Sequence, residues 1–260
     1  MDKGLDRWRN EWLSPKEGKD YGDLFFKRAA GQLPEMESSK AAAKRVRSLL
    51  GAGQMLADIG CGAGHYYRSL RASIPFAFRY LGVDATPYYV QRARAAFQSD
   101  ANARFVEGDI FDLPLEDQAA DAVMCNNVLL HLPSIAMPIA ELLRIARRVV
   151  LARTLVWDRS YVVKDVAPEV AGDEFDETGE PRSFHFLNIS SEKYLRRLLG
   201  SNERVRSVSF ERDGDYDPQK VADTGTHLAH AWDRTSVANG MQVSGALLLP
   251  WTWVTVELAA

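Results

Sequence analysis

Residues 55–70, MLADIGCGAGHYYRSL, constrain this chain more than any other stretch. An apolar run from Met55 to Ile59 gives way to Gly60, Gly62 and Gly64, and Tyr66, Tyr67 and Leu70 then recur at helical spacing. The pattern predicts a strand, a tight glycine turn and a helix, in that order. Such a turn bends through backbone angles that side chains forbid and lets a ligand touch main chain directly. The helix behind it points unpaired N–H groups toward the ligand. A dinucleotide fold asks for G-x-G-x-x-G, with a pyrophosphate on the helix N-terminus. Here the spacing is G-x-G-x-G, and Asp58 stands two residues before the first glycine. That carboxylate repels a pyrophosphate and suits a ligand carrying an ammonium group.

The run DIGCGAG, residues 58–64, resembles the first motif of class I S-adenosylmethionine-dependent methyltransferases: an acidic residue, a hydrophobic residue, then G-x-G-x-G. The resemblance implies S-adenosylmethionine as cofactor, with Asp58, Gly60, Cys61, Gly62 and Gly64 around it. Further along, Tyr80–Asp84 reads as a strand ending in an acid, 20 residues after Gly64. With Ala85 beside it, Asp84 is placed to accept both hydroxyls of a ribose, as nicotinamide proteins also do. The same carboxylate also reads as a cap for the helix that Thr86 and Pro87 open. After a third strand, Ala103–Val106, Asp109 and Ile110 match the acid that family members offer to the adenine amine and its apolar neighbour. A carboxylate accepts from an exocyclic amine, so the residue type fits.

The fourth strand, Asp121–Asn126, runs into NVLLHLP, which is similar to the family's segment ending in V-L-x-H-L. The resemblance implies that backbone carbonyls near Asn126 accept from the methionine ammonium. His131 then falls at the cleft, where a group titrating near neutral pH can act as general base. It reads equally well as a brace for its loop. His185, in an acidic insertion, is the second candidate base. No metal is expected: His227 and His230 stand three apart without a carboxylate or cysteine at ligand spacing, and only Asp158 is in place after the fifth strand.

Five alternations of strand and helix stand in order up to the fifth strand, Val149–Val156. They predict a doubly wound, Rossmann-like α/β sheet with helices on both faces. A sixth strand, Val205–Glu211, and a closing segment, Val243–Leu258, interrupted by Gly245 and Pro250, complete seven strands, mainly parallel, with an antiparallel closing strand. Residues 1–50 read as a helical lid and 51–260 as the cofactor-binding domain, with insertions at 157–189 and 213–240. In the lid, Leu5, Trp8 and Trp12 share one helix face, a second short helix follows, and Ser38 or Ser39 caps a third that Gly51 ends. Tyr21 and Arg28 are candidates for the methionine carboxylate, although Arg28 also reads as an exposed helix arginine.

At 260 residues and 46% hydrophobic, the chain can bury a full core in one large domain. Its formal net charge of −3 and the acidic insertion argue against a nucleic-acid partner. No run approaches the ~20 apolar residues of a membrane span. Neither Cys61 nor Cys125 belongs to a zinc or disulfide spacing, so free thiols and a cytoplasmic location are expected. The expected reaction is in-line methyl transfer to an oxygen or nitrogen of a small-molecule acceptor. Its competitors are a cofactor-binding or regulatory protein without turnover, a nucleic-acid or protein methyltransferase, and a nicotinamide enzyme, against which the glycine spacing speaks. The sequence is silent on oligomeric state.

Overall fold

The computed structural model describes residues 21–166, 175, 177–181, 184–219, 236–244 and 247–259. The expected first helix around Trp8 and Trp12, together with His227 and His230, lies outside the described residues.

The glycine turn is flanked as its pattern requires, by β1 (Met55–Ile59) and a helix from His65 to Ser73. Strands β2 (Arg79–Asp84), β3 (Ala103–Glu107), β4 (Ala120–Asn126) and β5 (Ala146–Trp157) follow, with helices at Pro87–Ala96 and Ala136–Ile145 between them. Every residue of β4 is buried, as a strand covered on both faces requires. Beyond β5 come the short strands β6 (Lys164–Val166), β7 (Phe184–Phe186) and β8 (Ser190–Ser191), the helix Glu192–Leu199, and β9 (Val205–Arg212). Ser191 caps that last helix, its hydroxyl accepting from the Tyr194 N–H. The chain closes through β10 (Ser236–Ala238), β11 (Met241–Ser244), β12 (Leu247–Leu248) and β13 (Trp251–Leu258).

The main sheet runs β3-β2-β1-β4-β5-β13-β9, and two-residue β8 pairs with β5 as an eighth strand. Pairing is parallel from β3 to β5, and β13 is antiparallel to both of its neighbours. The strand order reverses between β1 and β4. Open α/β sheets bind ligands at that switch point, outside the carboxyl ends of the strands. One apolar cluster, with Leu142, Leu143 and Val254, lies on one side of the sheet, and a second, with Tyr67, Leu70 and Trp253, lies on the other.

Before β1 the chain forms two helices, Tyr21–Ala29 and Glu37–Leu49. The second differs at its ends from the expectation. Extended Met36 precedes it and Leu50, not Gly51, closes it, while Ser38 and Ser39 are buried inside. Ser39 spends its hydroxyl on Met36 O and on Ser69 of the turn helix, at 2.8 and 2.9 Å. Small residues at 38, 39 and 41–43 bring the two helices close enough for that contact, and packing displaces the cap.

Candidate active site at the carboxyl ends of β1 and β4

All three turn glycines have positive φ, +79° at Gly60, +54° at Gly62 and +81° at Gly64. At Gly60 space adds to conformation, because a Cβ there would lie 2.2 Å from Val128 Cγ2. Val128 follows β4, so this contact locks the turn after β1 to the end of β4. Around Gly62 a Cβ would meet only ordinary contacts, Phe25 at 3.5 Å and His65 at 3.6 Å. Cys61 is a buried free thiol, as is Cys125, and burial pushes both thiols up, away from thiolate reactivity.

Asp58 is only 2% exposed and accepts from the Tyr80 hydroxyl at 2.6 Å. Burial pushes its carboxyl up to about 7, although the Tyr80 hydrogen bond pulls the other way. Asp84 accepts from the Gly62 N–H at 2.8 Å and the Thr86 N–H at 2.9 Å. It therefore joins the glycine turn to the end of β2 and holds the turn ahead of the next helix, whose N-cap is Thr86 and not Asp84 as the capping alternative expected. It also accepts from the Thr86 side-chain hydroxyl, which leaves one lone pair for a ribose hydroxyl. Ala85 is exposed beside it. Past β3, Asp109 Oδ1 accepts from the Phe111 N–H at 3.1 Å, and Ile110 is buried in the apolar cluster.

The helix Tyr21–Ala29 lies across the turn. Phe25 stacks on His65 with ring centroids 4.4 Å apart, Tyr21 stacks on Phe25 at 6.1 Å, and Gly22 packs against Tyr88. Arg28 is half-buried, not an exposed helix arginine. It faces His65 and Tyr66, and burial lowers its pKa. No hydrogen bond or ion pair engages its guanidinium among the described residues.

At the end of β4, Asn126 is 6% exposed, and neither polar atom of its amide has a partner among the described residues. Buried polar atoms are normally satisfied, so an orphaned amide beside a glycine turn fits a polar ligand. Asn127 takes a left-handed φ of +59°. Its amide donates to Tyr66 Oη at 3.1 Å and accepts from Arg153 Nη1 at 2.7 Å. Sequence reasoning missed Arg153, 1% exposed on β5 and paired with Asp213 at 2.6 Å. A lone arginine inside the run VVLARTLV was the available signal.

A single 3-10 turn, Leu129–His131, follows. His131 Nδ1 lies 2.9 Å from Phe186 O on β7. A carbonyl only accepts, so Nδ1 carries the proton and Nε2 is the basic nitrogen. Burial pushes His131 down to about 4, leaving it neutral at neutral pH. The insertion folds a hairpin, β6 with β7, onto this turn and brings His185 to 6.5 Å from His131, ring to ring. His185 Nε2 lies 3.3 Å from Asp165 Oδ2. Both candidate histidines thus stand together, although 54 residues apart in the chain. No metal-holding cluster occurs among the described residues, and no described helix is long and apolar enough to cross a membrane.

Residues 57–151 match the family described as Methyltransferase domain. The malonyl-[acyl-carrier protein] O-methyltransferase of Pectobacterium atrosepticum is 31% identical over 127 residues, 47% of this chain and 47% of that protein. The uncharacterized methyltransferase YcgJ of Bacillus subtilis is 31% identical over 93 residues, 35% of this chain and 36% of that protein. The chain thus spans less than half the length of these curated relatives. Among solved structures, the [4+2]-cyclase SpnF shares the fold at a TM-score of 0.56 and 20% identity, over 85% of this chain and 82% of that one.

Proposed function

Because residues 57–151 are a methyltransferase domain of the class I, S-adenosylmethionine-dependent family, we propose that this chain transfers a methyl group to an oxygen or nitrogen of a small-molecule acceptor. The reading rests above all on the switch point. There Gly60 and Val128 interlock, and the orphaned Asn126 amide and the unengaged Arg28 guanidinium flank the same turn. When bound, the cofactor supplies an electrophilic methyl on a sulfonium.

In this reading the chain's own residues bind, orient and exclude water. Arg28 pairs with the carboxylate of the methionine moiety, and Tyr21 and Phe25 close over it on the helix Tyr21–Ala29, which acts as a lid together with Glu37–Leu49. The β4 turn at Asn126 receives the ammonium, and buried Asp58 favours that positive charge from below the turn. Asp84 holds the ribose, with Ala85 at its rim, and Asp109 takes the adenine amine beside Ile110. For a hydroxyl acceptor, His131 Nε2 takes the proton. His185, oriented by Asp165, is the neighbouring group to which it passes. An amine acceptor already carries its nucleophilic lone pair when neutral and asks less of either histidine.

Fold alone does not dictate this chemistry, since a cyclase shares it. Isothermal titration with S-adenosylhomocysteine, followed by an acceptor screen that reads S-adenosylhomocysteine release, separates the readings. Binding with turnover supports methyl transfer. Binding without turnover over a broad acceptor panel favours the non-catalytic reading, and no binding removes the cofactor assignment.

A further inference from the structure

Arg153 on β5 grips Asn127 at two points. Its carbonyl accepts from the Asn127 N–H at 2.9 Å, and its Nη1 donates to Asn127 Oδ1 at 2.7 Å. Arg153 is itself held, since Nε donates to Asp213 Oδ2 at 2.6 Å and the guanidinium lies 4.1 Å from the Trp251 ring. A guanidinium only donates, so the Asn127 amide has one orientation. Oδ1 faces Arg153, Nδ2 donates to Tyr66 Oη at 3.1 Å, and the Tyr66 hydroxyl donates to Ser38 Oγ at 3.0 Å on the helix Glu37–Leu49. One asparagine thus ties β5, the turn helix and the second lid helix to the end of β4. It does so at a φ of +59°, a left-handed conformation that asparagine adopts more readily than most side chains.

This clamp controls the peptide unit between Asn126 and Asn127. In a trans peptide the carbonyl points opposite to the N–H. With the Asn127 N–H fixed on β5, the Asn126 carbonyl points to the other side of β4, where β1 runs. Pairing of β1 with β4 ends at Asp58 and Met124, so beyond that register the carbonyl faces the glycine turn, against which Val128 also packs. We propose that Asn127 is a positioning residue for the ammonium group of the cofactor. Held by Arg153, it aims the Asn126 carbonyl at that group without touching a reacting atom. The inference rests on the methyltransferase reading and adds to it the side chain that sets the acceptor's direction. The backbone bond alone is a single neutral hydrogen bond at a strand end; the grip on Oδ1 comes from a charged donor and is the stronger of the two.

The test is isothermal titration of the full chain with S-adenosylhomocysteine and with its deamino analogue, 5′-(3-carboxypropylthio)-5′-deoxyadenosine, in which hydrogen replaces the ammonium group. The wild type prefers S-adenosylhomocysteine by about tenfold or more, the worth of a hydrogen bond to a charged group. Asn127→Gly keeps the left-handed backbone accessible and deletes the grip. Its affinity for S-adenosylhomocysteine falls about tenfold, and its affinity for the analogue is unchanged. Partial unfolding of a variant lowers both apparent affinities by one factor, so their ratio separates positioning from lost stability. Asn127→Asp keeps an oxygen for Arg153 Nη1 and retains at least the wild-type preference. An Asn127→Gly protein whose ratio matches the wild type, an Asn127→Asp protein that falls as far as Asn127→Gly, or a wild type that binds both ligands equally overturns the positioning role and leaves the cofactor assignment standing. A wild type that binds neither ligand overturns the methyltransferase reading and the proposal with it.

Discussion

Tyr80 on β2 donates its hydroxyl hydrogen bond to Asp58 on β1 at 2.6 Å, in the layer under the glycine turn where both residues are 2% exposed or less. The pair keeps a carboxyl at the switch point without giving it to water. With its pKa at about 7, Asp58 is shared between two protonation states near neutrality, and an incoming cation shifts the balance toward the carboxylate.

This position sets a pH dependence of stability. The native state holds a proton on Asp58 that the unfolded chain releases above about 4, so this residue's contribution falls as pH rises from about 4 to about 7. The full shift corresponds to roughly 4 kcal/mol. Asp58→Asn removes the effect. Urea unfolding across that window should show the variant gaining on the wild type as pH rises, with a constant difference above about 7.5. A difference that does not change with pH contradicts the burial argument.

Gly60→Ala carries two separable penalties, a side chain at φ +79° and a Cβ placed 2.2 Å from Val128 Cγ2. Together they should cost about 2–4 kcal/mol and weaken S-adenosylhomocysteine binding by displacing the turn. Adding Val128→Ala relieves the contact but not the backbone strain. The double variant should therefore recover part of the lost stability in chemical denaturation, and full recovery would mean that φ at Gly60 is unimportant.

Arg28→Met removes a half-buried cation that no hydrogen bond or ion pair offsets among the described residues. Stability should hold or rise slightly. Affinity for S-adenosylhomocysteine should drop about 10- to 100-fold, as expected for a charged hydrogen bond. Titration with 5′-methylthioadenosine, which has no carboxylate, provides the control and should be unchanged. An equal loss for both ligands places Arg28 elsewhere.

His131→Asn keeps a donor for Phe186 O and deletes the basic Nε2. Cofactor affinity should be retained, while methyl transfer to a hydroxyl acceptor falls about 10²- to 10⁴-fold. Burial pushes His131 down to about 4, so in the wild type this group stays neutral and causes no loss of rate between pH 8 and 5.5. In stability the sign opposes Asp58: the unfolded chain binds the extra proton between about 4 and 6.5, so the His131 contribution falls as pH drops through that range. Rate and stability profiles of wild type and variant check both statements.

Much of the fold was legible because its signals are local. The glycine turn announced itself through residue type, and β1 lies where its apolar run predicted, at Met55–Ile59. The alternation of apolar segments gave the parallel half of the sheet, and Pro250 marked the approach to the closing strand, while Gly245 lies outside the described residues. Ser38 and Ser39 show the limit of such reading. As serines before an apolar stretch they look like caps, yet their small size serves helix packing, and contact with Ser69 outweighed capping. Arg28 was ambiguous for a related reason, since its burial depends on His65 and Tyr66, residues it does not adjoin in sequence.

The sequence by itself determined the strand-turn-helix at residues 55–70, the order of the alternating elements and the acids at the strand ends, because periodicity and φ preferences are written in consecutive residues. Only the tertiary structure decided which distant groups meet. Strand β13 inserts between β5 and β9, and across it Arg153 finds Asp213, 60 residues away. The β6–β7 hairpin returns over the β4 turn and sets His185 beside His131. Such meetings depend on sheet order and on which face each residue turns inward, and no window of neighbouring residues encodes either.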